Sequence, residues 1–447
     1  MAGVVRELAH GEQLDTTSHG TLTVGDVLGE GGQGVVYAAT VGGSADFALK
    51  WYHAPADDLA WKHSAALYKQ LRQNLEEPPL SDSRFLLPLD VVRKDERYGY
   101  LMARFPSRFR SLEELVRGTL SWPKTGPLRP LLTAAMGIAD AYGKLHIVGH
   151  CYKDINLGGP RLDPSSGEVL ICDNDNIWPD RLGGAVFTPQ LAAPEVNRGE
   201  ATCSTLTDRH GLAVLLFYML VRGNPLEGRR ELATVVLEED AIRRSYASDP
   251  LFVFDPNNTA NAPLPEEQAS LIRNWQALPQ FVRDLFVVAF TDGLRNPSRR
   301  PSEVEWRAGL ARLRDSLSAC SHCQRETSVD FVTNSDIPNV RCRLCNRTFQ
   351  RPPRLRFSKT DLAYSTHAEL RGYHLGERDD YFGEPRGRFS QHPNNASVIG
   401  LRNDSAQTWV LSDGPGQKRQ EVPPGRNAPL ANGRRIDFGP TTATVQF

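Results

Sequence analysis

Several groups of residues in this chain have types and spacings that could do chemistry. Gly29, Gly31 and Gly34 in LGEGGQGVVY, with Val36, follow G-x-G-x-x-G-x-V between two strand-like runs. Positions without side chains let backbone N–H groups approach phosphate oxygens closely. Lys50 stands fourteen residues beyond Val36 in the apolar run FALKWY. Alone it would read as a surface lysine with its stem laid over apolar neighbours. Beside the glycines it suits the α- and β-phosphates of ATP. Two aspartates follow, in HCYKDINLGG (150–159) and VLICDNDN (169–176). Asp154 comes directly after a basic residue, Lys153, and could accept a proton from a hydroxyl. Asp173 closes an apolar strand, where its carboxylate would suit a hard dication such as Mg²⁺ or Mn²⁺. Either aspartate alone reads as a turn or cap residue; the four elements in this order point to phosphoryl chemistry.

A further stretch, TPQLAAPEV, carries Thr188 and the Ala193-Pro194-Glu195 triplet, and Asp208 opens the apolar run LAVLLFYMLV. NPSRRPSEVEW contains Arg300. Of seven cysteines, Cys151, Cys172 and Cys203 are scattered. Cys320, Cys323, Cys342 and Cys345 form C-x2-C-x18-C-x2-C, the spacing of a four-thiolate zinc site with no open position for a catalytic water. That makes the zinc structural. His322, inside the first pair, reads as exposed, and Asn346 tolerates the turn a zinc knuckle needs. Arg341, Arg343, Arg347, Arg351, Arg354 and Arg356 surround the cysteines, as a nucleic-acid patch, a solvated face or an interdomain contact.

The elements that must position these groups change character along the chain. Residues 1–21 are polar and read as a flexible lead-in. Short β-rich runs fill 21–101, interrupted by one helix over about 58–75 that ends before Pro78-Pro79. Ser111 and Glu114 then form a capping box, and long apolar-periodic helices are expected over 127–148, 206–222 and 266–293. Beyond the cysteines, SVIGL, TWVL, RIDFG and TATVQF are separated by turn dipeptides, the pattern of a small β-sandwich. The expected class is α+β, with a lead-in at 1–21, a two-lobed domain at 22–317 (22–104 and 105–317), a zinc ribbon at 318–350 and a β domain at 354–447.

With these motifs in order, residues 22–317 resemble a eukaryotic-type (Hanks-type) Ser/Thr protein kinase domain. YKDINLG, ICDNDN, TDRHGLAVLLFYML and NPLEG further resemble a bacterial subfamily with a zinc ribbon and a C-terminal β domain. The resemblance implies a bilobal kinase fold in which Gly29, Gly31, Gly34 and Val36 cover ATP and Lys50 clamps its phosphates. Asp173 would hold Mg²⁺, and Asp154 would be the catalytic aspartate. Thr188 would contact the catalytic loop, while Glu195, Asp208 and Arg300 would brace the lobe. It also implies a protein substrate and a tellurite-resistance-type system with a von Willebrand A-type protein and a metal-dependent Ser/Thr phosphatase. The run LANGRRIDFG resembles the closing half of a forkhead-associated β-sandwich, without a clear phosphothreonine-reading pair unless STHAEL (365–370) is its remnant.

Three positions depart from the family. The catalytic-loop asparagine is Gly159, for which Asn156, Asp175 or Asn176 would have to substitute as a metal ligand. The helix at 59–75 holds no acid to pair with Lys50, and Glu76 and Glu77 lie only at its end. D-F-G is replaced by Asp173-Asn174-Asp175, and no Ser, Thr or Tyr lies between Asp173 and Thr188, leaving Lys153 less to pair with. A pseudokinase scaffold is therefore the rival expectation.

Composition bounds both. Apolar residues at 40% and charged residues at 23% exclude a disordered chain. Lys plus Arg at 52 against Asp plus Glu at 53 disfavours nucleic acid as the main partner. The longest apolar run, Leu212 to Val221, is too short to span a bilayer, and no secretory leader is evident. A cytoplasmic protein is expected.

Overall fold

The computed structural model describes residues 7–118, 128–183, 187–232, 242–329, 331, 338–377, 380–392, 394–414 and 419–447. It is a mixed α+β protein. The chain divides into two compact units, one of Met1–Ser121, Gly137–Ala269 and Phe286–Val304, the other of Trp122–Met136, Ser270–Leu285 and Glu305–Phe447. Within the second unit, Arg129 pairs with Glu326 at 2.8 Å and donates to the Leu317 carbonyl, and Arg314 reaches Thr133.

The first unit opens with an antiparallel six-stranded sheet in the order β1-β2-β3-β4-β6-β5. Its strands are β1 (Gln13–Asp15), β2 (Thr21–Gly31), β3 (Gly34–Val41), β4 (Ser44–Tyr52), β5 (Asp90–Lys94) and β6 (Arg97–Ala103). The lead-in is not a flexible segment over its described part. β1 pairs with β2, Leu8 and Leu14 are buried in the sheet's core, and Ser18 and His19 bind the Asp90 carboxylate. Two apolar residues and local side-chain bonds suffice to hold a stretch whose overall polarity hid them. Residues 1–6 of the lead-in lie outside the described residues.

Side chains alternate across a strand, so Leu49 and Trp51 join one core while Ala48 and Tyr52 join the other. Helix α1 (Asp58–Glu76), capped by Asp57, covers the second face with Leu67, Tyr68, Leu71 and Leu75, an apolar stripe at helical spacing. Further along are α2 (Leu112–Val116), with the expected capping box, α3 (Arg129–Ile147), α4 (Pro194–Asn197) and α5 (Thr205–Val221). α5 is buried almost all round, as its uniform apolarity requires, and Phe217 meets Phe286 and Phe290 edge-on at 5.2 and 6.0 Å. The helix expected over 266–293 is three pieces, Ala269–Ala277, Gln280–Phe290 and Asp292–Arg295. Pro279 supplies no N–H and interrupts the ladder.

In the second unit, two hairpins, β12 (Leu317–Ala319) with β13 (Glu326–Ser328) and β14 (Asn339–Arg341) with β15 (Thr348–Gln350), carry the cysteine pairs in their turns. Residues 330 and 332–337 of the expected ribbon lie outside the described residues. Ten strands then build two sheets of six and four. Leu355, Leu401, Trp409, Ile436 and Val445, drawn from both, share one buried cluster, so this part is a β-sandwich. Among the described residues, no helix is long and apolar enough to cross a membrane.

Candidate functional site

Two pairs of short strands bring the two aspartates to the same place. β8 (His150–Cys151) pairs with β11 (Trp178–Pro179), and β9 (Pro160–Leu162) pairs with β10 (Val169–Ile171). The loop 152–159 and the turn 172–177 therefore leave and re-enter the same two ladders. Cys172 N–H donates to the Gly159 carbonyl at 2.9 Å and ties them together. Lys153 (φ 65°) and Asp173 (φ 58°) both adopt the left-handed conformation, a strain that persists only where the surroundings impose it.

Asp154 accepts a hydrogen bond from Thr188 Oγ1 at 2.9 Å. Burial pushes its carboxyl up, and neighbouring Asp173 adds to the shift against the pull of Thr188 and Lys50. A carboxylate so placed is suited to accept a proton. Asp173 keeps about a third of its side chain exposed and lies 3.6 Å from Lys50 Nζ. Lys50 itself is buried and donates to both oxygens of Asp175, at 2.9 and 3.1 Å, and to Gln33 Oε1 at 3.1 Å. Gln33 sits in the two-residue turn between β2 and β3, so the glycine hairpin closes over the lysine.

The three glycines differ in what they do. A Cβ at Gly34 would lie 2.2 Å from the Trp51 carbonyl, so close strand packing alone forbids a side chain there. At Gly29 and Gly31 a Cβ would meet nothing within 4 Å. Of the three, these two face open space, as does Gly32 beside them. Val36 faces Lys50 across the ladder and packs, half-buried, on the α1 side of the sheet.

A scan against models of known protein families matched none, and no curated protein matched. The site must therefore be read from its own geometry.

The departures at 159 and 175 acquire physical reasons. A Cβ at Gly159 would come within 3.2 Å of the Tyr152 hydroxyl, which donates to the Cys172 carbonyl. Asn156 braces the loop instead: its Oδ1 accepts from Gly158 and Gly159 N–H at 2.8 and 2.9 Å, and its Nδ2 donates to the Asp154 carbonyl. Asn176 Nδ2 bonds the Asp173 carbonyl, and Asp175 is committed to Lys50. Asn156 and Asp175 thus spend their oxygens within the protein, whereas Asn176 is held through its amide nitrogen. Glu76 is paired with Arg72 and exposed, and Glu77 is exposed, so neither meets Lys50. Lys153, expected to have less to pair with, lies 4.0 Å over the Trp178 ring, and burial lowers its pKa to about 8. Residues 184–186 of the segment before Thr188 lie outside the described residues.

Arg300 grips Glu195 with two parallel bonds of 2.7 and 2.8 Å. Asp208 accepts from the Tyr152 and Lys153 N–H groups and fixes the start of the loop. It also contacts His146, whose other ring nitrogen meets Glu303 at 2.9 Å. Burial alone would lower the His146 pKa, but these two carboxylates raise it to about 9. Sequence reading missed His146 and Glu303, since a histidine in an apolar helix carries no signal of its partners.

At the second site the four cysteine ligand atoms lie within 4.8 Å of one another. The Cys320–Cys345 and Cys323–Cys342 sulfur pairs are 3.8 Å apart. Zn–S bonds of about 2.3 Å in a tetrahedron place sulfurs about 3.8 Å apart, so the set fits zinc. The residues following each pair, Gln324 and Asn346, are both left-handed (φ 59° and 63°), making two matching knuckles. His322 is turned to the Thr348 carbonyl. Arg343 donates to the Gln276 and Leu278 carbonyls, and Arg354 pairs with Asp361. STHAEL forms the connection from β17 (Asp361–Ala363) to β18 (Glu369–Leu370), with Ser365 buried.

Proposed function

We propose that the chain is an ATP- and Mg²⁺-dependent Ser/Thr protein kinase of the bilobal type. The supporting observation is the convergence of Lys50, Asp173 and the Thr188-bound Asp154 beneath a hairpin that leaves Gly29 and Gly31 open. Gly29 and Gly31 cover the phosphates, and Lys50 neutralises them. Asp173 would hold the metal, which when bound offsets charge on the phosphates. An acceptor hydroxyl attacks the γ-phosphorus, the bond to the ADP oxygen breaks, and the hydroxyl proton passes to Asp154. Thr188 holds Asp154 in line, so catalysis is mainly positioning. Four thiolates around zinc stabilise the ribbon, and the β-sandwich, forkhead-associated in type, serves regulation or partner binding. Partners of the resembled system, a von Willebrand A-type protein and a metal-dependent phosphatase, belong to the same proposal, as does a cytoplasmic location.

The purified chain incubated with γ-labelled ATP and Mg²⁺ or Mn²⁺ should label itself or a generic acceptor, and Asp154→Ala should remove the label. One observation favours a second reading, a nucleotide-binding pseudokinase: the oxygens of Asn156 and Asp175 are engaged within the protein, so neither replaces the missing loop asparagine as a metal ligand. An unlabelled product from folded, nucleotide-binding protein would select it. Nucleic-acid binding through the ribbon loses ground because Arg343 and Arg354 are spent on internal partners.

A further inference from the structure

A buried lysine needs an anion to stay charged, and α1 holds no acid between its terminal residues, Asp58 and Glu76. Lys50 pairs across the ladder with Tyr100, and Tyr52 lies two residues along the same strand, so all three project from one face of the sheet. Their polar tips converge on a single group. Asp175 accepts from Lys50, from the Tyr52 hydroxyl at 2.6 Å and from the Tyr100 hydroxyl at 3.2 Å. It is only 1% exposed and comes from the short helical turn Asn174–Asn176 that begins one residue after Asp173.

We propose that Asp175 is the positioning residue for Lys50, supplying from the Asp173 turn the carboxylate that the body of α1 lacks. The proposal rests on the reading of this site as a phosphoryl-transfer centre. Lys50 is nearer to Asp175 than to Asp173, 2.9 against 3.6 Å, so the more exposed carboxylate stays available for a cation. Two tyrosines fix the orientation of Asp175 independently of the lysine. α1 packs apolar residues on the face that carries Tyr52 and Tyr100, and its Asn74 donates to the Ile177 carbonyl with Gln70 behind it. The charged partner of the lysine comes from the turn and is oriented from the sheet.

The test is a double-mutant cycle on the full chain with Lys50→Met and Asp175→Asn. Affinity for a non-hydrolysable ATP analogue with Mg²⁺ is read by calorimetry, and kcat and KM by transfer of labelled phosphate. Asp175→Asn should weaken nucleotide affinity, raise KM for ATP and lower kcat about a hundredfold, as misplacement of a catalytic group does. Its KM for the acceptor should not change, whereas a purely structural loss would reduce active protein and leave the ATP affinity of the remainder intact. The double variant should be no worse than Lys50→Met alone, Asp175→Glu should recover part of the loss, and Glu76→Gln with Glu77→Gln should match the parent. Additive effects, or Asp175→Asn within twofold of the parent, would overturn the assignment. Should Asp175→Asn fail to fold, Tyr52→Phe and Tyr100→Phe take its place, with severalfold losses supporting and parental values overturning it. A parent that binds nucleotide but transfers nothing ends the kinase reading, and the affinity cycle alone then decides Asp175. A parent that binds no nucleotide overturns both.

Discussion

Gly34 and Gly29 stand in one hairpin, yet a methyl group added to each meets opposite surroundings. Gly34→Ala forces β3 away from the Trp51 carbonyl and should cost about 1–3 kcal/mol, as overpacking does. Gly29→Ala should stay within about 0.5 kcal/mol of the parent in urea unfolding while weakening nucleotide binding. Equal destabilisation of the two would contradict the distinction. At this scale candidate groups stand out wherever residue type restricts role: a lysine in an apolar strand, an aspartate at a strand end, a threonine near a loop. Lys50, Asp154, Asp173 and Thr188 were singled out that way, and the structure puts Lys50 beside Asp173 and Thr188 on Asp154. Which acid takes Lys50 was not legible, because Asp175 is 125 positions away and its choice depends on two tyrosines brought in by strand register. Gly159 likewise reads as a loss until the Tyr152 hydroxyl is seen beside it.

Elements were legible where periodicity is long and uniform, as in α1, α3 and α5, and less so where one residue breaks a pattern, as Pro279 does. Of the short strands, β10 shows in the apolar run that ends at Asp173, whereas β8, β9 and β11 gave no signal, since two- and three-residue ladders have too few side chains to alternate. His146 at the end of α3 shows what such elements carry, bridging Asp208 on α5 and Glu303. Its pKa rises from 6.5 to about 9, so its stabilisation is full below about pH 6.5 and is lost as pH climbs through about 9. Glu303 moves the other way, since burial would raise it but His146 and Arg209 bring it down to about 2. Urea midpoints between pH 6 and 10 should reveal a loss on the order of 3 kcal/mol that His146→Gln no longer shows. A flat profile in the parent would argue that the bridge is not formed in solution.

For the molecule as a whole, the four cysteines were the most legible feature, because tetrahedral thiolate coordination demands closely spaced pairs. The sandwich was legible from its turn dipeptides, whereas the division into units was not, since it depends on long-range pairs such as Arg129 with Glu326. Protein prepared without chelator should carry about one zinc ion per chain by mass spectrometry. Cys342→Ser should lose it and lower the melting temperature of the second unit, structural zinc contributing on the order of 10 kcal/mol to such folds. Unchanged melting without metal would remove zinc from the account. Across a lineage, the glycine hairpin becomes a record of use. On the proposed reading, descendants without a nucleotide ligand would be free to vary at 29 and 31 but would still be held to glycine at 34 by the backbone of the next strand. An intact third glycine in a divergent relative would then be evidence of a surviving sheet, and only the first two would testify to a surviving ligand.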